Sequence, residues 1–317
     1  MTFVAPFNLL KWLMQRILLI ALLIAVVVTA TLLAACSDES SEPTTEAEPG
    51  EVGAQDGTIT VSKDQPLAYA QALVQQAIDR YGTDGRQATI DFYNSEESLD
   101  GDWHVFILDE AGYIASMAAF PAWVGVHDSE FKGYKDYPAG QMVIDGAHEE
   151  GIQIDYLARD FFGNIDLNHL WVVKHDGLVF ASSSWSGEEI SKSDQPGYTQ
   201  EQVRLAIGLY EASGLQAALD YYNSPDSVDE QWYTFIVDTE TGRTIGHFNP
   251  DLRDRDPSLR VDSTGYFYGD DLLGATESGD WIQYVITNPD NGEEQLKHTW
   301  AVLHDGYIFA SGWYEDP

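Results

Sequence analysis

Cysteine is nearly missing from this chain of 317 residues. Cys36 is the only one, so an intrachain disulfide is excluded and its position carries the information. Positive charge is also scarce: 16 lysines and arginines stand against 52 aspartates and glutamates, a formal net charge of −36. A surface of that sign repels phosphate, which argues against nucleic acid or an anionic membrane surface as the partner of the folded part. Solubility, for instance in a salty medium, is its plain reading. Catalytic signatures are absent as well. There is no Gly-x-Ser-x-Gly elbow, no glycine-rich phosphate loop and no His-Glu-x-x-His pair. The eight histidines never fall at His-x-x-x-His spacing, and the acidic run at 251–256 lacks the spacing of a calcium loop. No metal, no cofactor and no enzymatic activity are expected.

What the chain has in quantity is apolar residues, 44%, enough for two domains that each bury a core. It also has an internal repeat. His304-Asp305-Gly306-Tyr307-Ile308-Phe309-Ala310-Ser311 answers His175-Asp176-Gly177-Leu178-Val179-Phe180-Ala181-Ser182 at an offset of 129. Asp-Gly between apolar runs is a hairpin signal, and the segment after it reads as a strand. At the same offset Val74, Ala77, Ile78 and Tyr81 match Val203, Ala206, Ile207 and Tyr210, a helical face. Asp64 and Asp194 are candidate caps before Pro66 and Pro196, and Thr199 with Gln202 is a candidate capping box. Trp103-x-x-Phe106-Ile107-x-Asp109 matches Trp232-x-x-Phe235-Ile236-x-Asp238, a strand. Each unit therefore reads as helix, shorter helix, strand pair, irregular crossing segment with a short helix, then three antiparallel strands. The fold class is α+β, with N-terminal helices packed on one face of each antiparallel sheet.

The N-terminus reads as an address. Lys11 and Arg16 precede an uncharged apolar run at 17–33, which ends in Leu33-Ala34-Ala35-Cys36. That tetrapeptide resembles the lipobox of prokaryotic lipoproteins, which implies lipidation of Cys36 and cleavage before it. An uncleaved anchor of nearly bilayer-spanning length is the other reading. Both put the rest outside the cytoplasm, at a periplasmic or cell-surface membrane face. Met14 gives a more compact signal than Met1 and is the expected start. Residues 37–58, acidic and rich in Ser, Pro and Thr, read as a disordered tether. The expected map is 1–36 signal, 37–58 tether, 59–187 first domain, 188–197 linker, 198–317 second domain.

The helix ending in Tyr221-Tyr222-Asn223-Ser224, the Trp-x-x-Phe-Ile-x-Asp strand and the run Trp281…Tyr284…Asn288-Pro289…Gly292…Lys297…Trp313-Tyr314 resemble Cache domains, PAS-like extracellular sensor modules. The resemblance implies a small-molecule pocket between the sheet and the crossing segment, with carboxylates or amines as ligand classes. It covers about residues 60–317 and is closer in the second unit, because Asn168 stands in the first where Lys297 stands in the second. With no output domain following, such a protein is expected to act through a membrane signalling partner, as a sensor or solute-binding lipoprotein. The alternative is a structural or interaction lipoprotein without a small ligand. Candidate ligand residues are Trp232, Tyr266, Trp281, Tyr284, Trp300, Lys297 and Arg253. Core packing is the competing reading for Trp232 and Trp300, whose counterparts Trp103 and Trp171 recur at the repeat offset. For Arg253 it is pairing with neighbouring aspartates.

Overall fold

Each repeat begins with a helix whose apolar residues recur on one face. In α1 (Pro66–Asp84) the buried Ala70, Leu73, Val74 and Ala77 fall at i, i+3, i+4 and i+7. Gly85, at φ +81°, ends it, and α2 (Arg86–Tyr93) follows. Gly214, at φ +80°, makes the same break inside the longer α4 (Gln195–Tyr222) of the second repeat. The computed structural model describes residues 59, 61–159 and 163–315, without the side chains of 184–189. The signal, Cys36, the Met14 start and the tether lie outside the described residues. Among those described, no helix is long and apolar enough to cross a membrane.

The helix starts differ from the capping expectation. Asp194 caps α4 by accepting from the Gly197 N–H, but Asp64 takes the Ser62 hydroxyl and α1 has no side-chain cap. Thr199 is not at a cap at all. It lies inside α4, where its Oγ1 accepts the Trp232 indole N–H at 3.0 Å.

Two five-stranded antiparallel sheets follow these helices. The first holds β1 (Val105–Leu108), β2 (Ile114–Met117), β3 (Ile152–Arg159), β4 (Ile165–His175) and β5 (Leu178–Glu189) in the order β2-β1-β5-β4-β3. The second holds β6 (Phe235–Asp238), β7 (Thr244–Gly246), β8 (Asp280–Thr287), β9 (Glu294–His304) and β10 (Tyr307–Tyr314) in the matching order β7-β6-β10-β9-β8. A short helix interrupts each crossing segment, α3 (Ala139–Gly146) and α5 (Gly269–Leu273). The connection between repeats is 190–194, because β5 runs on to Glu189 and α4 starts at Gln195.

Both closing hairpins turn at Asp-Gly with positive φ at the two central residues: 47° and 80° at Asp176-Gly177, 48° and 81° at Asp305-Gly306. That is the turn whose twist matches paired strands. The surroundings coincide too. His175 meets Tyr81 edge-on with centroids 5.7 Å apart, and His304 meets Tyr210 edge-on at 5.7 Å. Tyr69 lies 4.9 Å from Trp103, and Tyr198 lies 5.0 Å from Trp232. The chain is two copies of one α+β module.

The copies share a core. Helix α4 buries Val203, Leu205, Ala206 and Leu209 in one cluster with Tyr137, Met142 and Ile154 of the first module and Phe309 of the second. The Tyr137 hydroxyl donates to the Leu205 carbonyl at 2.7 Å, and the Tyr221 hydroxyl to the Lys135 carbonyl at 2.9 Å. Asp229 fastens this junction. It is 3% exposed and accepts from Lys192 at 2.8 Å, Tyr134 at 3.0 Å and Tyr198. Burial alone would raise its pKa, but the Lys192 and Tyr198 hydrogen bonds outweigh it and hold the carboxyl below its ordinary value.

Candidate ligand-binding sites

On the face of each sheet turned toward its crossing segment lies a cavity, and matching residues line the two. His104, Phe106 and Ile114 in the first stand where Tyr233, Phe235 and Thr244 stand in the second. Tyr156, opposite Asn168 in the β3–β4 register, stands where Tyr284 stands opposite Lys297. The contents differ. The first cavity has about 220 Å³ of room and the second about 50 Å³.

Basic side chains gather on and behind the wall of the second cavity. Lys297, on β9, is fully buried, and its Nζ has no hydrogen-bond partner among the described residues. Its stem passes over Gly312, where a Cβ would stand 2.7 Å from Cε, and sets Nζ 3.8 Å from the centre of the Tyr233 ring. Only a residue without a side chain lets the lysine through, and the first module has Ser183 there. Arg260, 6% exposed, donates from Nη2 to Thr244 Oγ1 at 3.0 Å and leaves Nη1 without a partner. Arg255 and His247 also line the wall, and among the described residues no carboxylate does. Each charge is therefore held at a cost. Burial drives the Lys297 amine well below the ordinary lysine value and lowers Arg260, where Arg255 adds repulsion. Burial, then Lys297 and Arg253, push the His247 imidazole down to about 3. Tyr284 closes the far side, stacked on Tyr268 with centroids 4.0 Å apart.

The seven residues singled out in the sequence are not brought together. Tyr284 lines this cavity; Lys297 does not, and lies behind it against the Tyr233 ring. Trp232 is buried on the helix side of the sheet, and Trp300 packs against that core. Trp281 and Tyr266 are each 40% exposed, Trp281 lying against Trp300 and the Tyr266 hydroxyl on Asp271. Arg253 pairs with neither ligand space nor aspartate. Its guanidinium donates to the carbonyls of His247 at 2.6 Å and Asn223 at 2.7 Å, tying the end of α4 to the loop after β7. Arg260 and His247 were missed because nothing in their sequence neighbourhood marks them; the fold alone buries them.

The first cavity is walled by aromatics, among them Phe120, Trp123, Phe131 and Tyr156. Among the described residues, three buried polar atoms on its wall have no partner: His104 Nδ1, Ser183 Oγ and Asp128 Oδ2. Asp128 opens a 3-10 turn, Asp128–Glu130, capped by the His127 ring, and its carbonyl lies so close to Gly140 of α3 that a Cβ there would stand 1.8 Å away. Burial pushes its carboxyl up to about 7. Among the described residues, no group of three or more His, Cys, Asp or Glu side chains could hold a metal ion.

No protein-family model matches this sequence, and no curated protein matches it. Among solved structures, the chain is similar to a methyl-accepting chemotaxis protein from Vibrio parahaemolyticus, at 20% identity over 39% of this chain and 88% of that one, with a TM-score of 0.34. It is similar to a Cache chemosensory domain described for carboxylic acid recognition, at 22% identity over 37% and 86%, with a TM-score of 0.29. It is also similar to the sensor domain of the V. cholerae histidine kinase DctB, at 9% identity over 80% and 92%, with a TM-score of 0.27.

Proposed function

We propose that this chain is an extracytoplasmic, lipid-anchored sensor or solute-binding protein, and that its second module takes a small carboxylate. The observation that carries the reading is the buried pair Arg260 and His247 on the wall of a cavity lined by no acid among the described residues, with buried Lys297 behind it against Tyr233, in a protein with a net charge of −36. A guanidinium nitrogen left unpaired in a protein interior is costly, and an anion of matching size pairs with Arg260 and favours protonation of Lys297 and His247, whose pKa values burial lowers. A cavity of 50 Å³ has room for about three or four water molecules, the scale of a two- or three-carbon acid. Such an acid would lie between the sheet, at Tyr284, and the crossing segment, at Arg260. Binding would then favour one arrangement of that segment over others, a change a membrane partner can read.

The test is thermal denaturation of the protein in acetate or propionate against equal ionic strength of chloride. Both carboxylates raise the Tm, and chloride does not, because only a ligand of the native state shifts the equilibrium. Arg260→Gln removes the response. Equal shifts in chloride, or none in either acid, would sink the reading. The small second cavity favours one rival, a structural lipoprotein whose pockets are filled by its own side chains; that rival is supported if neither acids nor amines act on either module.

A further inference from the structure

The repeat presents one face twice, once covered and once bare. In the first module α3 and the edge strand β3 carry α4 across them. The Tyr137 hydroxyl donates to the Leu205 carbonyl, and Asp155 of β3 pairs with Arg204. Gly146 of α3 comes so near that a Cβ there would stand 3.2 Å from that of Ala212. In the second module α5 and the edge strand β8 hold the matching places, and the described residues lay no helix over them. Tyr137 and Tyr266 are equivalent positions: the carbonyl of each accepts a backbone bond from four residues earlier, Gly133 at 2.8 Å and Asp262 at 2.9 Å. Tyr137 is 3% exposed and Tyr266 40%. The covering helix makes the difference.

The bare face is also the more apolar. Val261, 47% exposed, stands at the place of Lys132, and the equally bare Trp281 at the place of Gln153. Apolar side chains grouped on one exposed face mark an interaction surface. What fits such a face is visible in α4, which is apolar on two sides. Val203, Ala206 and Tyr210 serve its own sheet, with Tyr210 5.5 Å from Phe309. Leu205, Leu209 and Ala212 serve the first module. Helix α1 has only the inner stripe, because Gln76, Arg80 and Thr83 stand at the places of Leu205, Leu209 and Ala212. The array is thus finished with a polar outer side at its first module and left open at its last.

Two occupants fit poorly. A head-to-tail copy of the chain offers the face nothing but the polar side of α1. A two-fold pairing of copies sets Asp270, Asp271 and Asp280, all exposed around the apolar residues, against their own twins. We infer that α5 and β8 form a docking surface for a helix of another protein, one that carries an apolar stripe spaced like Leu205, Leu209 and Ala212 and flanked by lysine or arginine. That helix takes on the second module the place α4 takes on the first. The surface lies outside the carboxylate cavity and does not depend on it.

Fluorescence anisotropy of a stapled helical peptide against the full chain tests the inference. The peptide copies residues 195–213, with Val203→Gln, Ala206→Gln and Tyr210→Gln to erase the inner stripe and Glu201→Lys and Glu211→Lys as basic flanks. It binds with micromolar affinity, and Leu205→Gln with Leu209→Arg in the peptide, the α1 pattern, weakens binding about tenfold or more. In the protein Trp281→Ala and Asp270→Lys each weaken it about tenfold, and both side chains are exposed, so the fold is kept. Arg260→Gln, which abolishes the carboxylate response, leaves peptide binding in place. No binding, equal binding of the α1-pattern peptide, or binding indifferent to both protein substitutions overturns the inference. So does a full chain that sediments as a dimer and returns to monomer on Trp281→Ala, because the face then belongs to a second copy.

Discussion

Replacing Lys297 by methionine stabilises this protein, against the usual outcome of a change at a fully buried position. Methionine reaches as far as Cε, so the stem over Gly312 and beneath Tyr233 is kept and only the unpartnered Nζ is lost. Burying a polar group without a hydrogen bond costs about 1–3 kcal/mol, and that cost disappears in the variant. Protonation adds to it. Burial depresses the folded pKa of Lys297 well below the unfolded one, so over the pH range between them the unfolded chain holds a proton the folded chain does not. Wild-type stability then rises with pH, by up to about 1.4 kcal/mol per unit, until the ordinary lysine value near 10.4. The methionine variant lacks that slope, so its advantage is larger at pH 7 than at pH 9. Urea denaturation at both pH values, without carboxylate present, measures it. At about 2–4 °C per kcal/mol for a protein of this size, a gain in Tm accompanies it. Acetate then narrows the gap by stabilising the wild type alone. A variant less stable than wild type at pH 7, or one with an undiminished pH slope, would refute the account of Lys297 as an uncompensated buried amine.

Three further outcomes follow from the same structure. Gly279→Ala destabilises by about 2–5 kcal/mol in urea denaturation, because the position holds φ +82° and a Cβ would stand 2.0 Å from the Trp300 ring; a loss under 1 kcal/mol would contradict it. Asp229→Ala costs about 3–5 kcal/mol, since it strands Lys192 and two tyrosines at the junction of the modules. Asp100→Ala, at the matching place in the first module but half exposed, costs about 1 kcal/mol or less, and equal losses at the two sites would argue against burial as the cause. Asp128, whose folded pKa lies near 7 against an ordinary 3.8, holds a proton that the unfolded chain has lost, so it makes the protein less stable as pH rises from about 4 to about 7. Asp128→Asn removes that fall, about 3 kcal/mol between pH 4.5 and pH 7.5, in paired denaturation curves at those values.

Much of the architecture was legible before the coordinates. The 129-residue offset brings His175 onto His304 and Trp103 onto Trp232, and those pairs sit in matched surroundings because hairpin turns and strand faces are set by local residue choice. The sites were legible only in part. Lys297 was visible as one of few positive charges, able to hold a carboxylate, and its exchange for Asn168, with Gly312 for Ser183, was available as a signal at the same offset. Asp128 was one acid among 52, with nothing in its own segment to distinguish it.

Periodicity, turn chemistry and the duplicated pattern determined by themselves that this chain makes two helix-backed antiparallel sheets, since those properties depend on residues close together in sequence. Only the tertiary structure decided which charges were shut away from water and which cavity stayed open. Burial depends on what crosses from distant segments: α3 pinning the Asp128 turn, β10 yielding at Gly312 to let Lys297 pass, the loop after β7 carrying Arg260 to Thr244. A charge in water and the same charge beneath a sheet are identical letters with different free energies.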